Sequence, residues 1–540
     1  MSKIYIHEVD LSTVSNATQD MIDVVYVPGF SSASSDSLTV AKKGVPTLCR
    51  TISEFNTYFG SNPALFNADQ AYPSGATGFA SVAIPTVNST AESMFLKDSP
   101  DPSYIYAKEL LSRGIPVLYE RVNDVSDATS GSYDVTVAKM YEFLASAFIS
   151  KADTEPSTTI TGGTATVADK ATFLAAYPEA GTHVFTYKAA DAEAGITAGW
   201  YHGSDSTNIG ADSTALGTAI GITYTGTATA GNTITVVLYY EQPTLLDKST
   251  YEVKYLTSGG YPTFEFAGKS VSQAMANLAA ERGDCIVFID HTNNPYRNIV
   301  GTDSVYYQAQ QAANKLSAAT ASYGAMFTPF CTYALANSYL GVTSSETGFA
   351  LPPSFAYLSC LATSLNTNPA WLAIAGTTRG KVTDLISVNS NKVLTNAVAD
   401  SYVPDNSVAI NPITNIRPYG QCIWGNRTLF DNSVTGGTKA LSYLNIRNLV
   451  CDIKKQLFDA CQSLLFEPNS DILWANFTSR ITPLLDQMKS GQGIGNYKIT
   501  RVNPSDRAQI TAIVRIYPVY SVEAFDLTLY IQNGELDVQE

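Results

Sequence analysis

The stretch from Pro418 to Pro504 governs how the rest of the chain is read. It opens "PYGQCIWGNRTLF" (418–430), runs through "YLNIRNLVCDIKKQLFDACQSLLFEPNSDILWANF" (443–477) and closes "LLDQMKSGQGIGNYKITRVNP" (484–504). From Ile446 onward Leu449, Val450, Ile453, Leu457, Cys461 and Leu464 recur at three- and four-residue steps, with Arg447, Lys454, Lys455 and Asp459 between them, which predicts an amphipathic helix. "EPNSD" breaks the series, and Asn469 or Ser470 is placed to cap a second helix carrying Leu473, Trp474, Phe477 and Ile481. Pro483 has no N–H to give, so it should kink or restart that helix; Gly491 and Gly493 end it, and "NYKITRV" reads as a strand returning to the core.

Spacing alone says helix, helix, strand. The words say more: a glycine before a Trp taken as buried in "GQCIWGNRTL", Asn-Ile-Arg opening a long helix, "FEPN" at its end, Trp474 beyond it, and a glycine-rich exit to a strand. In that order they resemble the C-terminal domain of contractile phage tail sheath proteins. Near the other end, "HEVD", "YVPGFSS" and "GVPTLCRTISEFNTYFG" follow one another as in the N-terminal region of that family. "TSGGYP" (257–262), "NPAWLAIAGTTRG" (368–380) and "NPITNIRPYG" (411–420) continue the likeness.

Along the chain, "DVVYVPGFSS" is a continuous apolar run suited to a buried strand, and Thr51 with Glu54 makes a capping box over a helix whose Phe55, Tyr58 and Phe59 share a face. Asp101-Pro102 starts another helix, which Gly114 ends before the strand "IPVLYERV". From Val125 to about Pro243 the texture turns to Thr, Ala, Gly and Ser with short alternating pieces, as in a β-rich insert whose clearest helix is "VAKMYEFLASAFIS". Strand-helix alternation then resumes: a helix boxed by Ser270 and Gln273, the strand "DCIVFID", a helix over Ser304 to Ala319, the strand "YGAMFTPF" and a helix over Ser354 to Leu365.

The expected fold is therefore a multidomain α/β (α+β) chain. A layered α/β core covers 23–124 and 244–415, interrupted by a β-rich outer domain at 125–243. A C-terminal sheath domain follows at 416–520, with strand-forming arms at 1–22 and 521–540. In the N-terminal arm Ile4, Ile6, Glu8 and Val9 carry the strand; in the C-terminal arm Phe525, Leu527, Leu529 and Ile531 alternate with polar residues. Neither strand has an obvious hairpin partner.

Composition narrows the function classes. The 540 residues are 45% hydrophobic and 15% charged, a globular balance over several domains. With 33 basic and 48 acidic residues the net charge is −15, which argues against a nucleic-acid surface. No run approaches the ~18 apolar residues of a membrane span, and the opening "MSKIYIHEVD" has no signal-peptide core, so the chain is expected to be made and used in a cytoplasm, which the resemblance makes that of a bacterial host. Seven scattered cysteines without a CxxC read as reduced packing residues.

Chemistry is hard to find. "GQGIG" follows a helix instead of a strand, and phosphate-loop, HExxH and GxSxG patterns are missing. Of four histidines, His183 and His202 read as surface residues of the insert. His291 follows a strand end where open α/β sheets place active sites, yet no nucleophile accompanies it. No catalytic, cofactor-binding or metal-binding residue is assigned, and no enzyme is expected.

The resemblance implies a structural subunit of a virion tail or related contractile device, polymerising as stacked hexameric rings. Its partners would be itself, a tail tube protein, and baseplate and tail terminator proteins, without nucleic acid or membrane insertion. It also implies arms that add strands to neighbouring subunits. Arg447, Lys454 and Lys455, taken as a solvent-facing basic group, are candidates for the tube contact. A β-rich virion decoration protein or adhesin is the alternative, resting on the Thr/Gly/Ala insert.

Overall fold

In this computed structural model the residues described are 23–33, 40–68, 70–71, 93–95, 97–124, 135–148, 151–177, 181–203, 206–241, 243–261, 265–266, 269–290, 316–334, 349–388, 402–403, 407–433, 439–502 and 510–523. The chain is a mixed α/β protein that divides into two compact units, one of residues 1–145 with 247–540 and the other of residues 146–246. Residues 1–22 and 524–540 of the terminal arms, His291 and residues 304–315 of the helix expected over 304–319 lie outside the described residues.

The first unit is built on an eight-stranded sheet. Its strands in chain order are β1 (Val25–Gly29), β2 (Thr47–Cys49), β3 (Val117–Arg121), β4 (Tyr255–Leu256), β5 (Ile286–Ile289), β6 (Gly324–Thr328), β7 (Asn411–Ile416) and β8 (Gly420–Ile423). They lie in the order β2-β3-β1-β4-β5-β6-β7-β8. All neighbours from β3 to β7 are parallel, while β2 and β8 close the two edges antiparallel. Strands covered on both faces read as continuous apolar runs, and β1, β3, β5 and β6 are buried at every residue.

Helices α1 (Ile52–Phe59), α2 (Pro102–Ser112), α3 (Val137–Ala147), α4 (Val271–Arg282) and α5 (Pro353–Leu365) accompany the sheet. Thr51 caps α1 as its sequence suggests, accepting from Glu54 N at 3.2 Å, but the Glu54 carboxylate folds back to Arg50 N instead of Thr51 N. Phe55 and Phe59 of α1 are fully buried and meet Tyr119 of β3 edge-on at 5.0 and 4.6 Å. Rings offset in this way contribute about 0.5–1.5 kcal/mol per pair beyond their burial. Asp101 caps α2 with Pro102 in its first turn. The Gln273 side chain of α4 accepts from Ser317 N and donates to Thr320 Oγ1.

The C-terminal part comprises α6 (Leu444–Gln462), α7 (Asp471–Ser490) and a hairpin of β9 (Ile494–Val502) with β10 (Thr511–Pro518). Ser470 caps α7 by accepting from Leu473 N. Pro483 was expected to kink or restart this helix; α7 runs through it to Ser490 without a restart. The carbonyl that Pro483 leaves without a donor belongs to Ser479, which is exposed and open to water. Leu449, Ile453 and Leu457 of α6 pack with Ile481, Leu484, Leu485 and Met488 of α7 against Ile494 and the inner face of the hairpin. Trp424 is half-buried instead of fully buried.

The second unit holds a four-stranded antiparallel sheet ordered Lys151–Thr158, Thr233–Glu241, Gly181–Lys188, Gly199–His202. It has its own apolar core around Phe173, Phe185, Trp200, Leu216 and Ile234. Two short helices, Lys170–Ala176 and Ser213–Ile220, lie within it. The helix read from sequence as the insert's clearest, α3, falls mostly in the first unit, which extends to Ala145.

Candidate functional site

In an open α/β sheet the ligand crevice lies beyond the carboxyl ends of the strands, where the strand order reverses. Here that point is between β1, whose next strand β3 lies on one side, and β4 on the other. The chain's own residues fill it. Asp101 accepts from Phe30 N at 3.0 Å, from Ser103 N at 3.2 Å and from the Tyr261 hydroxyl at 2.6 Å. Tyr119 donates to the Phe30 carbonyl at 2.9 Å, and a Cβ on Gly29 would lie 2.0 Å from the Tyr119 oxygen. Gly259, at φ +67°, approaches the Pro28 carbonyl so closely that a Cβ would sit 2.3 Å from it. One strand over, Asp290 accepts from Ser354 N at 3.2 Å and Ser354 Oγ at 2.7 Å, closing the start of α5.

These carboxyls are wholly buried, and desolvation sets their chemistry. Burial raises Asp101 above the usual carboxylate range against the pull of its hydrogen bonds, and pushes Asp290 up to about 7. Burial likewise raises Tyr106, Tyr119 and Tyr261, with nearby carboxylates adding to it. Residues 257–261 are therefore a plug that ties strand ends to helix starts. What could have been a substrate crevice is occupied by Tyr261.

The three basic residues of α6 require a correction. Arg447 is only 2% exposed: it donates from Nε to the Ser322 carbonyl at 3.0 Å and from Nη2 to Ser322 Oγ at 2.6 Å, and its guanidinium lies 4.0 Å from the Tyr323 ring centre. Lys455 is 8% exposed, with Glu252 at 4.0 Å. Only Lys454 of the three is half-buried. The physical reason is that α6 lies between two layers. Its apolar face meets α7, and its polar face meets the base of the sheet, where Tyr255 donates to Asn448 at 3.1 Å and Asn448 donates to Tyr357 at 2.8 Å. Beside them Lys254 stands between Asp23 at 2.8 Å and Asp452 at 2.6 Å. Burial disfavours the Lys254 charge, but the two carboxylates outweigh it and hold the ammonium protonated. The same burial lifts Asp452 to about 6 against the pull of Lys254, with the nearby Asp23 carboxylate adding to the rise.

The hairpin β9–β10 is the exposed element. It is a two-stranded sheet, and among the described residues no further strand pairs with either outer edge. It is fastened to α7 through Arg501–Asp471 at 2.7 Å and Tyr497–Asp486 at 2.7 Å. Ile513, Tyr517, Val519, Tyr520 and Val522 are 41–72% exposed. Beyond β10 the chain turns back to the start of α6: Arg427 pairs with Glu523 at 2.5 Å, Asn426 donates to Ser521 at 3.2 Å, and Tyr443 meets Tyr520 at 5.3 Å. Sequence reading missed this clasp, since Arg427 and Glu523 are 96 residues apart and neither belongs to a periodic pattern. The arm residues Ile4, Ile6, Glu8, Val9, Phe525, Leu527, Leu529 and Ile531 lie outside the described residues. Among the described residues no cluster of three or more His, Cys, Asp or Glu is placed to hold a metal, and no helix is long and apolar enough to cross a membrane.

No model of a known protein family matches the chain. A curated protein named tail sheath protein, from Vibrio phage KVP40, is 23% identical over 178 residues, covering 32% of this chain and 25% of its own length. The match thus spans a quarter of that relative. Among solved structures, a chain of the anti-feeding prophage baseplate is similar with 13% identity and a TM-score of 0.47 over 98% of this chain and 99% of its own. The sheath tail protein of Desulfitobacterium hafniense has 11% identity and a TM-score of 0.40 over 96% of this chain and 100% of its own. At TM-scores this low the structural likeness carries no weight of its own. The curated match supports for this chain the contractile tail sheath family, the one its sequence resembles.

Proposed function

We propose that this protein is the structural subunit of a contractile tail sheath, polymerising as stacked hexameric rings around a tail tube and shortening to drive that tube through a host envelope. The observation that carries the reading is the β9–β10 hairpin, whose two outer edges pair with no other strand among the described residues. An isolated two-stranded sheet is marginal in water, and unpaired edges invite strand addition. The strand patterns at Ile4–Val9 and Phe525–Ile531 supply the complementary parts, one arm from each of two neighbouring subunits. Each added hydrogen bond contributes only about 0.5–1.5 kcal/mol, so the mesh tethers subunits through many weak links while their bodies rotate. Residues 146–246 would form the peripheral module of a core otherwise built from the two flanking segments.

The filled crevice favours a structural role over a catalytic one. Baseplate, terminator and tube proteins are the expected partners, in a particle assembled in the host cytoplasm. Lys454, half-buried on α6, is the remaining basic candidate for an acidic tube surface. Deleting residues 1–10 or 526–540 tests the reading. Either truncation should yield a folded protein that forms no tubes under negative-stain electron microscopy; tubes of normal length would overturn it.

A further inference from the structure

Two of the four histidines in the chain, read from sequence as unrelated surface residues, meet in the second unit. On the strand pair Gly181–Lys188 and Gly199–His202 the register sets Phe185 opposite His202. His183, two residues before Phe185, therefore stands on the same face as a diagonal neighbour of His202. His183 Nδ1 lies 3.4 Å from His202 Nε2. Both rings are half-buried and walled by aromatics: Tyr177 lies 4.5 Å from His202 and 5.3 Å from His183, Phe173 5.8 Å from His183, and Phe185 5.1 Å from His202. Phe173 and Phe185 belong to the unit's core, so the wall that frames the imidazoles is anchored.

We propose that His183 and His202 form a binding site for one divalent transition-metal ion of the zinc class, ligated through His183 Nδ1 and His202 Nε2. Two imidazole nitrogens on a single tetrahedral zinc, each at about 2.0–2.1 Å, sit about 3.3–3.4 Å apart. The observed separation matches that bite. Neutral imidazole is a preferred ligand for zinc, copper and nickel, whereas magnesium and calcium favour oxygen donors. Among the described residues no third His, Cys, Asp or Glu is grouped with them. The aromatic wall limits ring rotation and so lowers the ordering cost of ligation.

The test is a titration of the full-length protein with zinc(II) against a chromogenic chelator, repeated with cobalt(II) to read tetrahedral geometry from its visible spectrum. Wild type should bind one zinc per chain at this site. His183→Ala and His202→Ala should each weaken binding at least tenfold, and His7→Ala and His291→Ala should leave it unchanged. Absence of zinc binding to wild type, or wild-type affinity in either His183→Ala or His202→Ala, overturns the proposal. If an alanine variant fails to fold, imidazole nitrogen NMR of the wild type decides. Zinc should shift the ring nitrogens of His183 and His202 and spare His7 and His291; unshifted His183 and His202 resonances overturn the site.

Discussion

Arg447 shows how burial changes the meaning of a charge. In solvent it would contribute little, but here its guanidinium is desolvated, hydrogen-bonded twice to Ser322 and stacked on Tyr323. Arg447→Glu should therefore destabilise the first unit by roughly 3–5 kcal/mol, since it buries an unpaired charge of the wrong sign. Lys454→Glu, on the half-buried neighbour, should stay within about 1 kcal/mol. Urea unfolding of the two variants measures the difference, and equal losses would contradict the buried assignment. Asp290 carries a pH signature. Its folded-state value, near 7, exceeds the ordinary carboxylate value, so between about pH 4 and 7 the folded state holds a proton that the unfolded state has lost. The stability it contributes is complete at the acidic end and declines as pH rises through 7. Asp290→Asn should remove that component, on the order of 3 kcal/mol, flattening the fall in melting temperature between pH 5 and pH 8. A profile as steep as wild type would show that Asp290 is ionised throughout.

Among the elements, α7 is a continuous helix with an internal proline, a combination that normally costs stability. Pro483 is exposed, so replacing it tests the backbone with little change in packing. Pro483→Ala should restore the hydrogen bond to the Ser479 carbonyl and raise stability by about 1–3 kcal/mol by urea titration. A loss would mean that the proline ring fits a bend the hairpin packing needs. The β9–β10 hairpin poses a different question, because its stability is borrowed. Its inner face shares a core with α6 and α7, and Arg501–Asp471 and Tyr497–Asp486 pin it from outside. The clasp of Arg427 with Glu523 then directs the chain beyond β10 back toward α6.

For the whole molecule, the two compact units imply separable folding. Residues 146–246 have an apolar core of their own. Replacing them with a short Gly/Ser bridge between Ala145 and Asp247 should leave the first unit folded, because loop-closure cost grows slowly with length. Its melting transition should remain cooperative and within a few degrees of the full chain's, and the shortened chain should still form tubes. Insoluble products from several junctions would place those residues within the first unit's stability.

What the sequence determined by itself was local and periodic. The helices from Leu444 and from Asp471, the cap at Ser470, the Asp101-Pro102 helix start and the buried strands β1, β5 and β6 all follow from patterns within one or two turns of chain. The family resemblance came from the order of such words at both ends. Tertiary structure decided everything that depends on what lies across from a residue. Amphipathic spacing marks a polar face but cannot say whether water or a second protein layer covers it, so Arg447 and Lys455 passed for surface charges until α6 was seen between α7 and the sheet base. The plug formed by Tyr261 on Asp101, the Arg427–Glu523 clasp and the His183–His202 pair join residues 160, 96 and 19 positions apart. Such contacts leave no period in a sequence, because they are selected by the path of the backbone through space and by the cost of leaving a buried polar group without a partner.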